Sequence, residues 1–201
     1  MSTASKQHLT PAEYLKRERM AEFKSEYFYG EMFAMAGGSR WHGRIATNLV
    51  SRSDHLLRDT PCEVFGSDMR VKVTASRLYT YPDASIVCGE PQFEDQVVDT
   101  LLNPKVIFEV LSESTEAYDR GKKFDHYRQI PSLREYVLVS QTEPLVERYD
   151  RQPDGTWRLT VVRGLDAELP LESVPCRLSL AEIYFKVSFT ARESEGNSSD
   201  S

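Results

Sequence analysis

Glu109 stands inside the apolar run Val106-Ile107-Phe108-Glu109-Val110-Leu111, a segment whose composition otherwise predicts a buried strand. An unpaired charge is costly to bury, so a carboxylate here calls for a metal, a cation or a set of hydrogen bonds. Upstream, Asp83 follows Pro82 and opens a second apolar run, Ala84-Ser85-Ile86-Val87. Downstream, Asp119, Lys123 and Tyr127 recur four apart, which places all three on one face of a helix. Two carboxylates on adjacent strands suit a hard divalent cation, Mg2+ or Mn2+. Such an ion takes one or two carboxylates and fills its shell with water, backbone oxygen and substrate phosphate. The carbonyl of Val110 is the candidate third protein oxygen. An ion so held would acidify a water and neutralise charge developing on a phosphate, with Lys123 orienting that water or a phosphoryl oxygen. The chemistry expected is hydrolysis of a phosphodiester.

Each of these residues has a plainer reading. Asp83 after Pro82 serves as a turn residue or strand cap. Lys123 pairs with Asp119 on an exposed helix face, worth about 0.2–0.5 kcal/mol. Glu109 is harder to explain away, because acids are almost never fully buried unless paired. Specificity comes from the order: acid at a strand mouth, acid in the next strand, lysine on the following helix.

The elements that must position this set are readable in part. Thr10-Pro11-Ala12-Glu13 carries a capping box and proline at the first helical position, so a short helix to about Arg19 is expected. Glu26 to Met35, interrupted by Gly30 and closed by Gly37-Gly38, reads as a hairpin or two short strands. Its acids Glu26 and Glu31 read as surface charges, with one of them reaching the cleft as the alternative. Trp41 to Arg58 places Ile45, Leu49 and Leu56 at helical spacing, an amphipathic helix packed on a sheet. His42 lies in its first turn, either a partly exposed helix residue or a contact to substrate.

Strands are expected at Val64-Phe65, at Met69 to Val73 and after Asp83, and the acidic stretch Glu90 to Asn103 is expected to be an exposed loop. Beyond the Glu109 strand, Ser112, Ser114 and Thr115 offer caps for a helix to about Gln129. Strands at Glu135 to Val139, Leu145 to Tyr149 and Trp157 to Val162 should form a meander covering the sheet, with Leu178 to Val187 as a short helix and its exit.

The chain of 201 residues is read as one domain, spanning 10–188, with a flexible start at 1–9 and a disordered Ser- and acid-rich tail at 189–201. A net charge of -6 excludes nucleic-acid binding by bulk charge alone. Between Gly37 and Tyr81, however, seven basic residues face four acidic ones, and Arg40, Arg44, Arg70 and Lys72 are the candidate phosphate contacts. Cys62, Cys88 and Cys176 lack metal-ligand spacing and read as reduced thiols. With no long apolar run, the expectation is a soluble, cytoplasmic protein.

The sequence also resembles a known family, the bacterial Uma-type restriction endonucleases of the PD-(D/E)XK nuclease superfamily. The likeness rests on ordered blocks: Glu26-Tyr27 with Gly30-Glu31, Met35-Ala36-Gly37-Gly38, His42, Ser67-Asp68-Met69-Arg70-Val71, Tyr81-Pro82-Asp83, and Phe108-Glu109-Val110-Leu111-Ser112. It continues through Ser114-Thr115 and through Asp119 with Lys123 and Tyr127 to Leu133-Arg134-Glu135-Tyr136-Val137-Leu138-Val139. The resemblance implies an α/β restriction-endonuclease-like core, a central mixed sheet flanked by helices, with Asp83 and Glu109 as metal ligands and DNA as substrate. Where the superfamily motif places a lysine, two residues after its acid, this chain has Leu111. The family resembled moves that lysine to the next helix, which matches Lys123, with Lys122 as the neighbouring alternative. The competing function is a nuclease fold that binds nucleic acid or protein without chemistry. Nucleases that cut both strands often pair, so a homodimer is an expectation that no stretch of the sequence locates.

Overall fold

The computed structural model describes residues 8–189. Helix α1 (Pro11–Glu18) starts on the expected capping box: Glu13 N donates to Thr10 Oγ1 at 3.3 Å, and Thr10 N donates to the Glu13 carboxylate at 2.8 Å. Strands β1 (Ser25–Phe28) and β2 (Glu31–Ala34) form the hairpin, with Glu26 opposite Phe33 and Phe28 opposite Glu31. Tyr29 and Gly30 close it at φ 47° and 90°, the left-handed pair of a two-residue hairpin turn. Helix α2 (Arg40–Leu57) is capped by Ser39, whose Oγ accepts from His42 N at 3.1 Å.

Strands β3 (Cys62–Gly66), β4 (Arg70–Val73), β5 (Leu78–Thr80) and β6 (Ala84–Cys88) follow. The segment expected as an exposed loop at 90–103 instead contains β7 (Thr100–Leu101), buried and parallel to β4. Its two residues are too few for a periodic pattern to show. Strand β8 (Val106–Leu111) leads into a helical stretch of three parts: α3 (Glu116–Tyr118), a π-helical turn over Asp119–Lys123, and α4 (Phe124–Tyr127). The chain continues as β9 (Glu135–Ser140), β10 (Leu145–Arg151), β11 (Trp157–Arg163), β12 (Glu168–Leu171), β13 (Cys176–Ser179) and α5 (Leu180–Ile183). The stretch from Leu178, expected to be helical, therefore begins as strand and holds one helical turn.

The strands sort into a six-stranded sheet in the order β11-β10-β9-β8-β6-β3, a five-stranded sheet β2-β1-β5-β4-β7, and a β12-β13 ribbon. β8 and β9 run parallel while the other pairs of the large sheet run antiparallel, so the central sheet is mixed, as expected. The meander does not cover this sheet but extends it. β9 is buried along its whole length, and a strand buried on both faces belongs inside a sheet rather than over one.

Alternation along β8 divides the core. Phe108 and Val110 join Ile45, Leu49 and Leu178 on the face covered by α2 and the ribbon. Ile107 and Leu111 face the other way, with Tyr127 and with Val71 and Leu78 of the second sheet. Glu109 shares that second face, between the large sheet and the elements packed on it.

The cysteine expectation is corrected. Cys62 and Cys88 are directly opposed in the β3–β6 register and form a disulfide, leaving only Cys176 as a free thiol. Their separation of 26 residues hid a cross-strand neighbourhood that only the sheet register reveals. Among the described residues no helix is long and apolar enough to cross a membrane. The expected flexible and disordered ends lie mostly outside the described residues. Within them, Leu9 N donates to Gly30 O at 2.9 Å, and the Phe189 ring packs against Tyr184.

Candidate active site

The antiparallel register of β6 on β8 pairs Ala84 with Phe108, so Asp83, one residue earlier, arrives beside Glu109 and Val110. Asp83 Oδ2 accepts from Val110 N at 2.7 Å and lies 3.2 Å from His42 Nε2. From the helical stretch, Lys123 Nζ stands 2.9 Å from Glu109 Oε1 and 3.4 Å from Asp119 Oδ1. Tyr127 donates its hydroxyl to Glu109 Oε1 at 2.8 Å. Both Asp119 and Lys123 lie on the π-helical turn, a distortion found often at functional sites. The second sheet contributes Glu26, whose Oε1 lies 3.7 Å from Lys123 Nζ. Glu26 also accepts from Thr80 Oγ1 and, at 3.3 Å, from the Tyr118 hydroxyl.

Asp83, Glu109, Lys123, Asp119, Tyr127 and His42 are thus brought into one place. Glu26, read from the sequence as a surface charge, belongs with them. The available signal was its neighbour: Tyr27 is buried in the aromatic cluster with Tyr14 and Tyr79, so strand alternation turns Glu26 to the opposite face. Tyr118, which steadies Glu26, carried no such signal.

The electrostatics are those of a crowded acidic site. Burial pushes the Glu109 carboxyl well above the usual range, opposed by Lys123 and reinforced by Asp119 and Asp83. Burial likewise raises Asp119. Burial alone would strip Lys123 of its proton, but Glu109, Asp119 and Glu26 together reverse that and hold the ammonium form. Lys123 therefore stays charged, and the crowding of acids is felt most at Glu109, whose hold on a proton is strengthened. His42 is raised by its hydrogen bond to Asp83, against the pull of burial. Tyr127, buried against Glu109, is pushed far up and remains a hydroxyl donor.

These groups open into a cleft of about 1500 Å³. Its described walls carry Glu22, Glu26, Asp68, Asp83, Glu109, Glu113 and Asp119 against Lys24, His42 and Lys123. Such an excess of carboxylates calls for a cation. Among the described residues no three His, Cys, Asp or Glu side chains converge as a ready-made metal cage. The donor set instead fits an ion that uses two carboxylates, here Asp83 and Glu109, and completes its shell with backbone oxygen and water, as Mg2+ does.

The proposed phosphate contacts do not gather at this cleft. Arg70 is buried, with Nη2 2.9 Å from Asp99 Oδ2, and stacks over Tyr14 and Tyr81. Lys72 Nζ pairs with Glu94 Oε1 at 2.6 Å. The side of β4 that carries both is covered by Tyr14 of α1 and by Glu94 and Asp99 of the segment that holds β7. Arg40 and Arg44 are exposed on α2, Arg40 lying over the Trp41 ring, and neither is among the lining residues. Glu31, at the hairpin's turn, is not among them either. Leu111, in the motif position for lysine, is buried at the end of β8, and Lys123 brings its ammonium to Glu109 from the helix.

Comparison with known proteins agrees with this architecture. A crystal structure from Anabaena variabilis, described as a "putative nuclease belonging to DUF820", superposes with a TM-score of 0.71 at 21% identity, covering 88% of this chain and 97% of that one. At that identity the likeness concerns the fold. Two Synechocystis proteins are nearer in sequence, both described as uncharacterized. One, sll1609, is 41% identical over 169 residues, 84% of this chain and 96% of its own length. The other, slr1290, is 36% identical over 181 residues, 90% and 94% of the two chains. The family model described as "Uma2: Putative restriction endonuclease" matches residues 11–182. With its mixed sheet, its paired acids and a model match over most of its length, this chain belongs to the Uma2 family.

Proposed function

We propose that this protein is a metal-dependent nuclease that hydrolyses phosphodiester bonds of DNA. Asp83, Glu109 and the Val110 carbonyl would hold Mg2+ or Mn2+, with Lys123 as the catalytic cation. The observation that carries this reading is Lys123 Nζ at 2.9 Å from Glu109 in the cleft that also receives Asp83. A lysine displaced from its motif position still reaches the acid it must serve. The family description and that of the structural neighbour support the same reaction class.

The bound ion would supply charge neutralisation at the phosphate and a water acidified enough to attack near neutral pH. The remaining work falls to this chain's own groups. Tyr127, donating to Glu109 Oε1, fixes the rotation of that carboxylate. Val110 N and His42 hold Asp83 from two directions. Lys123 keeps its proton and offers fixed positive charge to the phosphoryl oxygens, a preorganised field worth more from a buried ammonium than in bulk solvent. The water oxygen joins phosphorus and gives up a proton to solvent as one ester P–O bond breaks, and the departing oxygen takes up a proton from solvent and leaves as the alcohol end of the cut strand.

The test is calorimetric titration with Mg2+ and Mn2+ of the wild type, Asp83→Asn and Glu109→Gln, followed by incubation of each with plasmid. Ion binding in the wild type, lost in both variants, together with nicking by the wild type alone, is the expected result. No ion binding at millimolar concentration and no cleavage would overturn the proposal and favour a binding role for the fold.

A further inference from the structure

Two aromatic side chains stand exposed on the cleft wall, and no step of the hydrolysis uses them. Phe23, in the connection between α1 and β1, is 77% exposed and Phe33, on β2, is 48% exposed, and both line the cleft. Phe33 lies directly opposite Glu26 in the hairpin register. Opposed residues place their side chains on the same face with Cβ atoms about 5 Å apart. The Phe33 ring therefore stands beside the carboxylate that reaches Lys123. Single exposed hydrophobics are ordinary on a surface. Two aromatic rings in the concave wall of a phosphodiester site are different, because a nucleic-acid base can stack on each.

The charges of the same wall select the kind of nucleic acid. Both lysines of the described lining are engaged, Lys24 with Asp68 and Lys123 with Glu109, and carboxylates outnumber them. A duplex presents one negative charge per about 1.7 Å of its axis, a single strand one per about 3.4 Å. The duplex also keeps its bases in the stack, so it would meet a repelling wall with nothing to offer the rings. A single strand brings half the charge density and bases free to stack. We infer that the cleft accepts single-stranded nucleic acid, including an unpaired stretch within a duplex, by stacking bases on Phe23 and Phe33 beside the phosphate to be cut. The inference deepens the nuclease reading and rests on it for the class of ligand, but its test does not require turnover.

The experiment is fluorescence anisotropy of the full chain with a labelled single-stranded oligodeoxynucleotide and with the same strand annealed to its complement. Ca2+ is present as a hard, oxygen-binding ion that balances the acidic wall. Wild type, Phe23→Ala, Phe33→Ala and Phe33→Tyr are compared, each checked for an unchanged melting temperature. Expected are single-strand binding at least about tenfold tighter than duplex binding, a loss of about tenfold for each alanine variant on the single strand only, and retention by Phe33→Tyr. Equal or tighter duplex binding, indifference of single-strand binding to both alanine variants, or binding of neither form would overturn it. The two readings can fail separately. Duplex nicking by a protein whose binding ignores both rings leaves the nuclease and removes this inference. Ring-dependent single-strand binding without cleavage of any substrate does the reverse.

Discussion

At Gly38 an added Cβ would lie 2.6 Å from His42 Nδ1 and 2.9 Å from its Cγ. The imidazole would have to move, and with it the 3.2 Å contact between Nε2 and Asp83. Gly38→Ala is therefore expected to slow plasmid cleavage by about tenfold to a hundredfold, the upper figure being what a misplacement of about an ångström can cost, with little change in melting temperature. In a His42→Ala background the same substitution should cost nothing more, because the group it displaces is already gone. A full additional loss in the double variant would show that Gly38 acts through something other than His42. What was legible at this scale follows from cost. Glu109 betrayed itself because burying a charge inside an apolar run demands a partner, and that partner, Lys123, lies one helix later. Glu26 escaped because an acid in a four-residue strand alternates just as a surface charge does, and the sheet that turns it inward is announced by no local pattern. Arg70 and Lys72 misled for the converse reason. Their alternation with Val71 and Val73 reads as a wet face, while Asp99 and Glu94, from a segment that sequence alone makes a loop, close over it.

Periodicity marks long elements and misses those whose identity comes from their neighbours. α1, the hairpin, α2 and β8 stand where spacing, caps and turn residues place them, because each carries its own local signal. The two-residue β7 and the π-helical turn at Asp119–Lys123 carry none, since one is defined by pairing with β4 and the other by a single widened turn. The β3–β6 ladder belongs to the same category, and its register places Cys62 against Cys88. Thiol titration of the protein unfolded without reductant should therefore find a single reactive group, Cys176. Finding three would mean that the two strands meet with both thiols reduced. The bond closes a loop across 26 positions, so Cys88→Ser is expected to destabilise the protein by about 3 kcal/mol in urea unfolding. Since β6 begins one residue after Asp83, loss of this link at the strand's other end should loosen the ladder that presents the acid to the cleft.

Across the whole molecule, the site is shared between two sheets: Asp83 and Glu109 come from the larger, Glu26 from the smaller, and Lys123 lies between them. The geometry of the cleft thus depends on how the smaller sheet is held, and one carboxylate ties α1 to β4 beside β7. Asp99, just before β7, accepts from Arg19 at the end of α1 at 2.8 Å and from buried Arg70 on β4 at 2.9 Å. The Arg19 hydrogen bond, opposed by partial burial and aided by Arg70 and Thr100, holds the Asp99 carboxyl well below the ordinary range. A carboxylate whose folded pKa is depressed contributes stability that is fully present above its unfolded value, about 3.9, and is lost as pH falls from there toward the folded value. Asp99→Asn abolishes that contribution at every pH and leaves the Arg70 guanidinium buried without its counter-charge, for a loss of about 3 kcal/mol near neutral pH. Urea unfolding of wild type and variant should therefore differ most near neutrality, and the difference should shrink progressively as pH falls below about 4. If the gap between them instead stayed constant down to the lowest pH at which the protein folds, Asp99 would be acting as a neutral hydrogen-bond acceptor. The joint between α1, β4 and β7 would then rest on packing of Arg70 against Tyr14 and Tyr81 rather than on charge.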